Sequence, residues 1–374
     1  MNERKLHIIT FDVPYPVNHG GFFDLFYKIS ALHQLGVQII LHCFEYGKGE
    51  QPALNQYCSE VHYYKRRTGF QSISLQLPYI VASRINIKLF ENLSKDNIPI
   101  LLEGTHCTYL LYKDLFPGRK ILYRLHNIES IYYYHLYLNE RSIFKKLYYL
   151  IESRLLKKYE KIIRTRATEV LTVSENDAGL LKQFNPDAAV EYLPVFLPYQ
   201  NIAIKEGIGN YFLYHGNLSV SENEKAALEL IEYVSPHIEL QLIIAGHNPS
   251  RKIIEKAAKQ NTVQIISNPS EEALHILIQE AQAHIVRSYN QTGIKLKLLH
   301  ALFFGRHCIV NEAALPDNGF RNYCHIANSF PELIQTLKRL KDQPFTSNDI
   351  KKRKAYLLNE FNNLVSAKKI IERM

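Results

Sequence analysis

Two stretches hold the residue types best suited to chemistry. The first is "RLHNIES" (124–130), where a short apolar run ends in His126, Asn127 and then Glu129. A histidine at a strand tip can donate to a developing charge or shuttle a proton near neutral pH. The plain alternative is a His and an Asn that cap the next helix. An earlier tip, "EGTH" (103–106), offers Glu103 and His106 in a similar way.

The second stretch is "YNQTGIKLKLLHALFFGRH" (289–307). Its spacing predicts a helix that starts after Gly293, with Thr292 as N-cap, and stops at Gly305. Lys295 and Lys297 then fall in the first turns. A helix N-terminus carries partial positive charge, so cations are disfavoured there by up to about 1 kcal/mol and anions are favoured. An anion bound at that end would reverse the sign of the penalty. The plain alternative is two lysines that reach out to solvent. Arg287, at the end of a predicted strand, is a third cation close by. Lys297 and His300 are three apart and share one helix face; Lys295 lies about 200° round from Lys297.

Other loops are candidates for ligand approach. Gly20 and Gly21 follow the first apolar run and lead into a helix; paired glycines let backbone come close to a ligand, and phosphate suits a helix N-terminus. Two glycines are also compatible with an ordinary tight turn. Asn217 ends the run "YFLYHG", and Ser221 with Glu224 reads as a capping box. Gly246 and His247 end another run. The chain has no Asp-x-Asp pair and no zinc-ligand spacing, so no metal or other cofactor is expected.

These tips belong to a regular grammar. Apolar runs at 6–11, 37–44, 98–104, 120–126 and 167–174 alternate with helical spacing. The pattern recurs at 211–216, 240–246, 263–267, 283–288 and 307–311. Strands apolar on both faces and separated by helices indicate parallel sheets covered on both sides. The predicted fold class is α/β: two Rossmann-like, doubly wound parallel-sheet domains facing a cleft. The reading divides the chain into an N-terminal domain (1–195), a linker (196–210), a C-terminal domain (211–350) and a final helical segment (351–374). In such sheets ligands sit at the carboxyl ends of the strands.

The chain has 374 residues and a net charge of +9. Residues 141–166 hold nine Lys/Arg against Glu152 and Glu160, a net of +7. With the tyrosines of 128–166, this segment reads as one or two long helices. It suits either a solvated surface or an anionic membrane face. Nucleic acid is not an expected partner, since no known binding module accompanies the segment. No apolar run approaches the roughly 18 residues of a membrane span, and no secretory signal opens the chain. Five scattered cysteines fit reduced thiols in the cytoplasm.

Together, the Gly-Gly loop, "HNIESIYYYHL", "LYHGNLSVSEN" and "TGIKLKLLHALFFGRH" resemble a group 1 glycosyltransferase of the glycosyltransferase-B fold, mannosyltransferase-like in its "HNIE". The resemblance covers nearly the whole chain. It implies transfer of a sugar from a nucleotide-diphosphate donor to a hydroxyl of a glycan or lipid-linked acceptor. By it, His126 is the active-site histidine. Gly20, Gly21, Asn217, Arg287, Thr292, Gly293, Lys295, Lys297 and His300 fall on the donor side, and His106, Asn127 and Glu129 on the acceptor side. The chain departs from the family at a pair of glutamates, whose positions hold Thr292 and His300. The usual Arg and Lys after the first strand of the second domain are replaced too, with Asn217 and Glu222 near their places. The leading expectation is a metal-independent glycosyltransferase, a hexosyltransferase expected to be retaining. It is placed in the cytoplasm on the inner face of a membrane. A degenerate nucleotide-sugar-binding or partner protein, and a nucleotide-sugar epimerase, stay open beside it.

Overall fold

The structure is a computed structural model describing residues 4–17, 20–140, 142–184 and 189–374. It divides into two compact units. The first comprises 1–137, 142–198 and 361–374, and the second 138–141 and 199–360.

In the first unit, among the described residues, the strands are β1 (Lys5–Thr10), β2 (Gln38–Glu45), β3 (Glu60–Lys65), β4 (Ile100–Glu103), β5 (Ile121–Leu125), β6 (Glu169–Thr172) and β7 (Val190–Tyr192). They form one parallel sheet in the order β3-β2-β1-β4-β5-β6-β7. Successive strand residues point to opposite faces, and the cores show it. Leu6, Ile8, Leu101 and Leu122 pack on one side; Ile9, Ile100, Leu102 and Tyr123 pack on the other. The first side is covered in part by Ala367 and Ile370 of the Asn363–Ile371 helix. The second is covered by Leu156, Tyr159 and Ile163 of the Ile143–Arg166 helix.

The second unit repeats the plan with β8 (Tyr211–Asn217), β9 (Gln241–His247), β10 (Val263–Ser267), β11 (Ala283–Val286), β12 (His307–Val310) and β13 (His325–Ile326). Their order is β10-β9-β8-β11-β12-β13, again parallel. In each sheet the winding direction reverses beside the first strand of the unit, between β1 and β4 and between β8 and β11. Such switch points open a crevice at the carboxyl ends of the strands.

The two-sheet α/β fold matches the expectation from the sequence. Strands β3, β7 and β13 did not stand out in it. All three are edge or near-edge strands, short or polar, so the both-faces-apolar signature is absent. Two caps are corrected. The Ser221–Glu229 helix has Val220 as N-cap with no side-chain capping bond, so Ser221 and Glu224 form no capping box. The Leu296–Phe304 helix starts later than predicted, although Gly305 does end it. The segment 128–166 forms two helices, Glu129–Asn139 and Ile143–Arg166. The cysteines are free; Cys43, Cys58, Cys107 and Cys308 are buried.

Candidate functional site

In the first unit, β5 delivers His126 to its carboxyl end, where the side chain is 18% exposed. Its Nε2 lies 2.9 Å from Glu103 Oε2, at the end of β4, and 3.7 Å from Asp24 Oδ2. Asp24 stands on the Gly20–Gln34 helix, one turn before Lys28. Lys28 Nζ donates to Asp24 Oδ2 at 2.8 Å and to Glu103 Oε1 at 2.6 Å. Arg124 donates to Asp24 Oδ1 at 2.9 Å and to the carbonyl of Pro194 at 3.0 Å. Asp24, Lys28, Glu103 and Arg124 are all buried.

The charges explain how this cluster survives burial. Two carboxylates face two cations, so no ion is left uncompensated. Burial alone would raise the Asp24 carboxyl, but Arg124 and Lys28 outweigh it and hold it well below the usual carboxylate range. Glu103 is likewise lowered, burial being overcome by Lys28 and by the His126 hydrogen bond. An ionised Glu103 can only accept, so His126 Nε2 bears the hydrogen of this bond. The carboxylate thus fixes the ring orientation. Asp24, Glu103 and His126 also offer ligand atoms within 4.8 Å of one another. That spacing would suit an ion, but the Lys28 ammonium already supplies the positive charge between the two carboxylates.

The neighbouring candidates fall in different places. His106 packs on Phe11 with ring centroids 5.1 Å apart, and His126 meets the same ring edge-on at 5.8 Å. Phe11 therefore brings the two histidines into one cluster. Burial and then Arg84 push the His106 imidazole well below its ordinary value. Glu129 does not face solvent as an acceptor contact would. It is buried, and its carboxyl is pushed up to about 8 by burial and by nearby Glu160. Asn127 hydrogen-bonds to it. The start of the Glu129–Asn139 helix is held by Glu160 of the Ile143–Arg166 helix. Glu160 Oε1 accepts from the Glu129 amide at 2.8 Å, and Oε2 accepts from the Ser130 hydroxyl at 2.6 Å. Gly20 and Gly21 are the first residues of the Gly20–Gln34 helix.

In the second unit the candidates gather at the carboxyl ends of β8 and β11. Gly293 turns the chain at φ +66°. Asn290 Oδ1 accepts from the Thr292 amide at 3.0 Å and from its hydroxyl at 3.1 Å. This local side-chain bonding competes with helix formation, which explains the delayed start. Lys295 becomes the N-cap residue, and Thr292 is buried in the preceding loop. Lys295 Nζ folds back to the Thr292 carbonyl at 2.7 Å. Lys297 Nζ donates to Asn223 Oδ1 at 2.9 Å and lies 5.0 Å over the Tyr214 ring. Neither lysine reaches freely into solvent. Burial lowers the Lys297 ammonium to about 8, with Glu222 acting in the opposite sense and Lys295 in the same one.

Arg287 follows β11, its guanidinium 4.5 Å over the Phe330 ring and 3.4 Å from the Asn328 carbonyl. Asn217 ends β8 with an exposed side chain, which accepts from the Ser219 hydroxyl at 2.7 Å. His300 sits a turn further along the helix, stacked on Tyr199 at 5.7 Å. Burial and then His275 lower it to about 4, so it is neutral near pH 7. His215 lies edge-on to His300 at 6.1 Å and also senses Lys297.

Several residues here were not candidates in the sequence, Glu222 having been noted only for standing near a family position. Glu222 Oε1 accepts from the Ser288 hydroxyl at 2.6 Å and from the Tyr289 amide at 2.7 Å, tying the Ser221–Glu229 helix to the loop after β11. Asn223 holds Lys297. Lys225 adds a further cation, 4.2 Å over the Tyr289 ring. In the first unit Asp24 and Lys28 were equally silent. Their i, i+4 spacing was visible, but it is the spacing of any surface ion pair.

Residues 209–343 match the family model described as "Glycosyl transferases group 1". That stretch spans β8 to β13 and the whole cluster around Lys297. Through this stretch the chain is similar to the group 1 glycosyltransferases. The chain is 28% identical over 316 residues to a Klebsiella pneumoniae protein, "Uncharacterized 44.6 kDa protein in cps region", covering 80% of each chain. Its fold is that of Anabaena HepE, solved in complex with UDP and glucose (TM-score 0.66, 13% identity, 99% of each chain). It is similar too to TarM (TM-score 0.68, 9% identity, 99% of this chain and 98% of that one). A glycosyltransferase from Rickettsia africae gives a TM-score of 0.62 at 14% identity, covering 100% and 98%. These likenesses establish the glycosyltransferase-B fold.

Proposed function

We propose that this protein is a glycosyltransferase that moves a hexose, mannose-like by its "HNIE" resemblance, from a nucleotide-diphosphate sugar to a hydroxyl of a cell-surface glycan or glycolipid. In this reading the transfer is retaining and independent of metal, and takes place in the cytoplasm on the inner face of a membrane. The observation that carries it is the gathering of Lys297, Lys295, Arg287 and Lys225 at the carboxyl ends of β8 and β11. Cations there stabilise the charge that develops on a departing diphosphate, the part a metal plays elsewhere. HepE was solved with UDP and glucose, and TarM with UDP and a GlcNAc-glycerol, which supports a nucleotide-sugar donor and a glycan acceptor.

In this reading each candidate takes a role. Lys297 contacts the diphosphate. Neutral His300 takes a ribose hydroxyl where the family carries a carboxylate. Gly293 lets the loop approach the donor, and the phosphate role of Gly20 and Gly21 rests on the resemblance alone. His126, oriented by Glu103, hydrogen-bonds the transferring sugar. One further reading has a specific observation behind it. Thr292 and His300 replace both glutamates and Thr292 is buried, which favours a nucleotide-sugar-binding protein without turnover.

A thermal-shift panel of GDP, UDP and their sugars, with and without EDTA, tests both. A ligand that binds only the folded state raises the melting temperature. Transfer predicts a shift with one nucleotide, unaffected by EDTA, and slow hydrolysis of the matching sugar donor. Binding with no hydrolysis under any condition selects the second reading, and no shift with any nucleotide removes both.

A further inference from the structure

The Ile143–Arg166 helix shows two faces of opposite kind. Glu152, Ser153, Leu156, Tyr159, Glu160 and Ile163 are buried, a three-to-four spacing that lines one side. On the other side Ile143 is 81% exposed, Phe144 88%, Leu147 57% and Ile151 49%. Four large apolar residues over two turns of open helix are more than the single scattered exposures that proteins normally tolerate. Further along the same face come Arg154, Lys157, Lys158 and Lys161, all exposed. Both acidic residues of the helix, Glu152 and Glu160, point inward. The exposed residues are therefore mainly apolar in the first two turns, with Lys145 beside them, and mainly cationic in the next three, with Ile162 among them.

The sequence suggested tyrosines for a membrane contact. Tyr149 and Tyr159 turn inward, Tyr149 packing on Tyr133 at 6.0 Å and Tyr159 stacking on Tyr112 at 5.0 Å, while Tyr148 stays 40% exposed.

We propose that this face docks on an anionic lipid bilayer, with Ile143, Phe144, Leu147 and Ile151 in the headgroup–acyl boundary and Arg154, Lys157, Lys158 and Lys161 on the headgroups. Stable peripheral attachment takes an apolar insertion and a polybasic patch together, and one helix supplies both. Each basic residue near an anionic surface adds about 1 kcal/mol. No described helix is long and apolar enough to cross a membrane, so the helix lies on the surface. A second copy of the chain fits this face poorly. Antiparallel pairing sets lysines against apolar turns, and parallel pairing sets lysine against lysine. Nucleic acid would leave the apolar turns uncovered. The docking holds whether or not the chain transfers sugar.

Flotation of the full chain with vesicles of phosphatidylglycerol and phosphatidylcholine, compared with phosphatidylcholine alone, tests it. The expected result is binding to the anionic vesicles that weakens with added salt, since exposed charges are screened beyond about 10 Å at 0.1 M. The double variant Phe144→Ser/Leu147→Ser and the double variant Lys157→Glu/Lys158→Glu should each bind about tenfold or more weakly, while melting at the wild-type temperature. The proposal is overturned if the wild type stays unbound with anionic vesicles, or if folded Phe144→Ser/Leu147→Ser floats like wild type. It is also overturned if the wild type is a dimer that this variant converts to monomer, because a second copy then covers the face.

Discussion

Lys297 concentrates the question of donor binding in one residue. Its ammonium is held by Asn223 and, lowered to about 8, is close to losing its proton in mildly alkaline solution. A diphosphate beside it would favour the charged form. Affinity for UDP or GDP should therefore be greatest below about pH 8 and decline above it. Lys297→Met should lose about 1.5–3 kcal/mol of that affinity, the range for a charged hydrogen bond, together with the pH dependence. The unliganded variant should melt no lower than wild type. A lysine whose folded value lies below its unfolded 10.5 destabilises the fold most below about pH 8, an effect that fades as pH rises towards 10.5. Isothermal titration across this range is the measurement; wild-type affinity in Lys297→Met would end the phosphate-clamp idea. His126 is different in kind. Its neighbours Glu103, Asp24 and Lys28 are buried partners that no substrate needs to touch, so they act on it by position.

At the scale of elements, the junction of the Glu129–Asn139 and Ile143–Arg166 helices is the most informative. Glu160 caps the first helix from the second, which leaves Glu129 buried beside another carboxyl. A carboxyl whose folded value is raised keeps its proton longer in the folded chain. Its stabilising share is complete below the unfolded 4.5 and is lost as pH rises to about 8. Glu129→Gln should accordingly raise the melting temperature at pH 8 and leave it nearly unchanged at pH 4, with nucleotide binding intact. A variant that loses acceptor affinity with no change in melting would instead return Glu129 to a substrate contact. The strands show how far local sequence reaches. Interior strands such as β1, β4, β8 and β9 are apolar on both faces because helices cover both sides of the sheet, and that pattern is written in consecutive residues. Edge strands β3 and β13 lack the second neighbour and with it the signature.

Across the whole molecule, buried imidazoles recur in both units. His7 donates or accepts with His42 at 2.9 Å, and His42 meets the Tyr64 hydroxyl at 2.8 Å. Burial lowers His7, His42 and His106 in the first unit, and His215, His284 and His300 in the second. All bind protons less tightly folded than unfolded. Their contribution is therefore complete above the unfolded value of 6.5 and is lost progressively on acidification below it. Melting temperature should fall steadily from neutral pH to about pH 5; a flat profile would mean these rings titrate no differently in the unfolded chain. The sequence by itself determined the α/β class, the two-part plan, the strand tips that carry His126, Asn217 and Arg287, and the basic helix. All of these rest on patterns a few residues long. The tertiary structure alone decided which charges meet. Asp24 and Arg124 are 100 positions apart, and each looks like an isolated ion until β5 is laid two strands from β1. It decided as well that Thr292 is a loop residue, because Asn290 captures its amide, and that Ile143, Phe144, Leu147 and Ile151 face outward, because the opposite side of their helix fills the core.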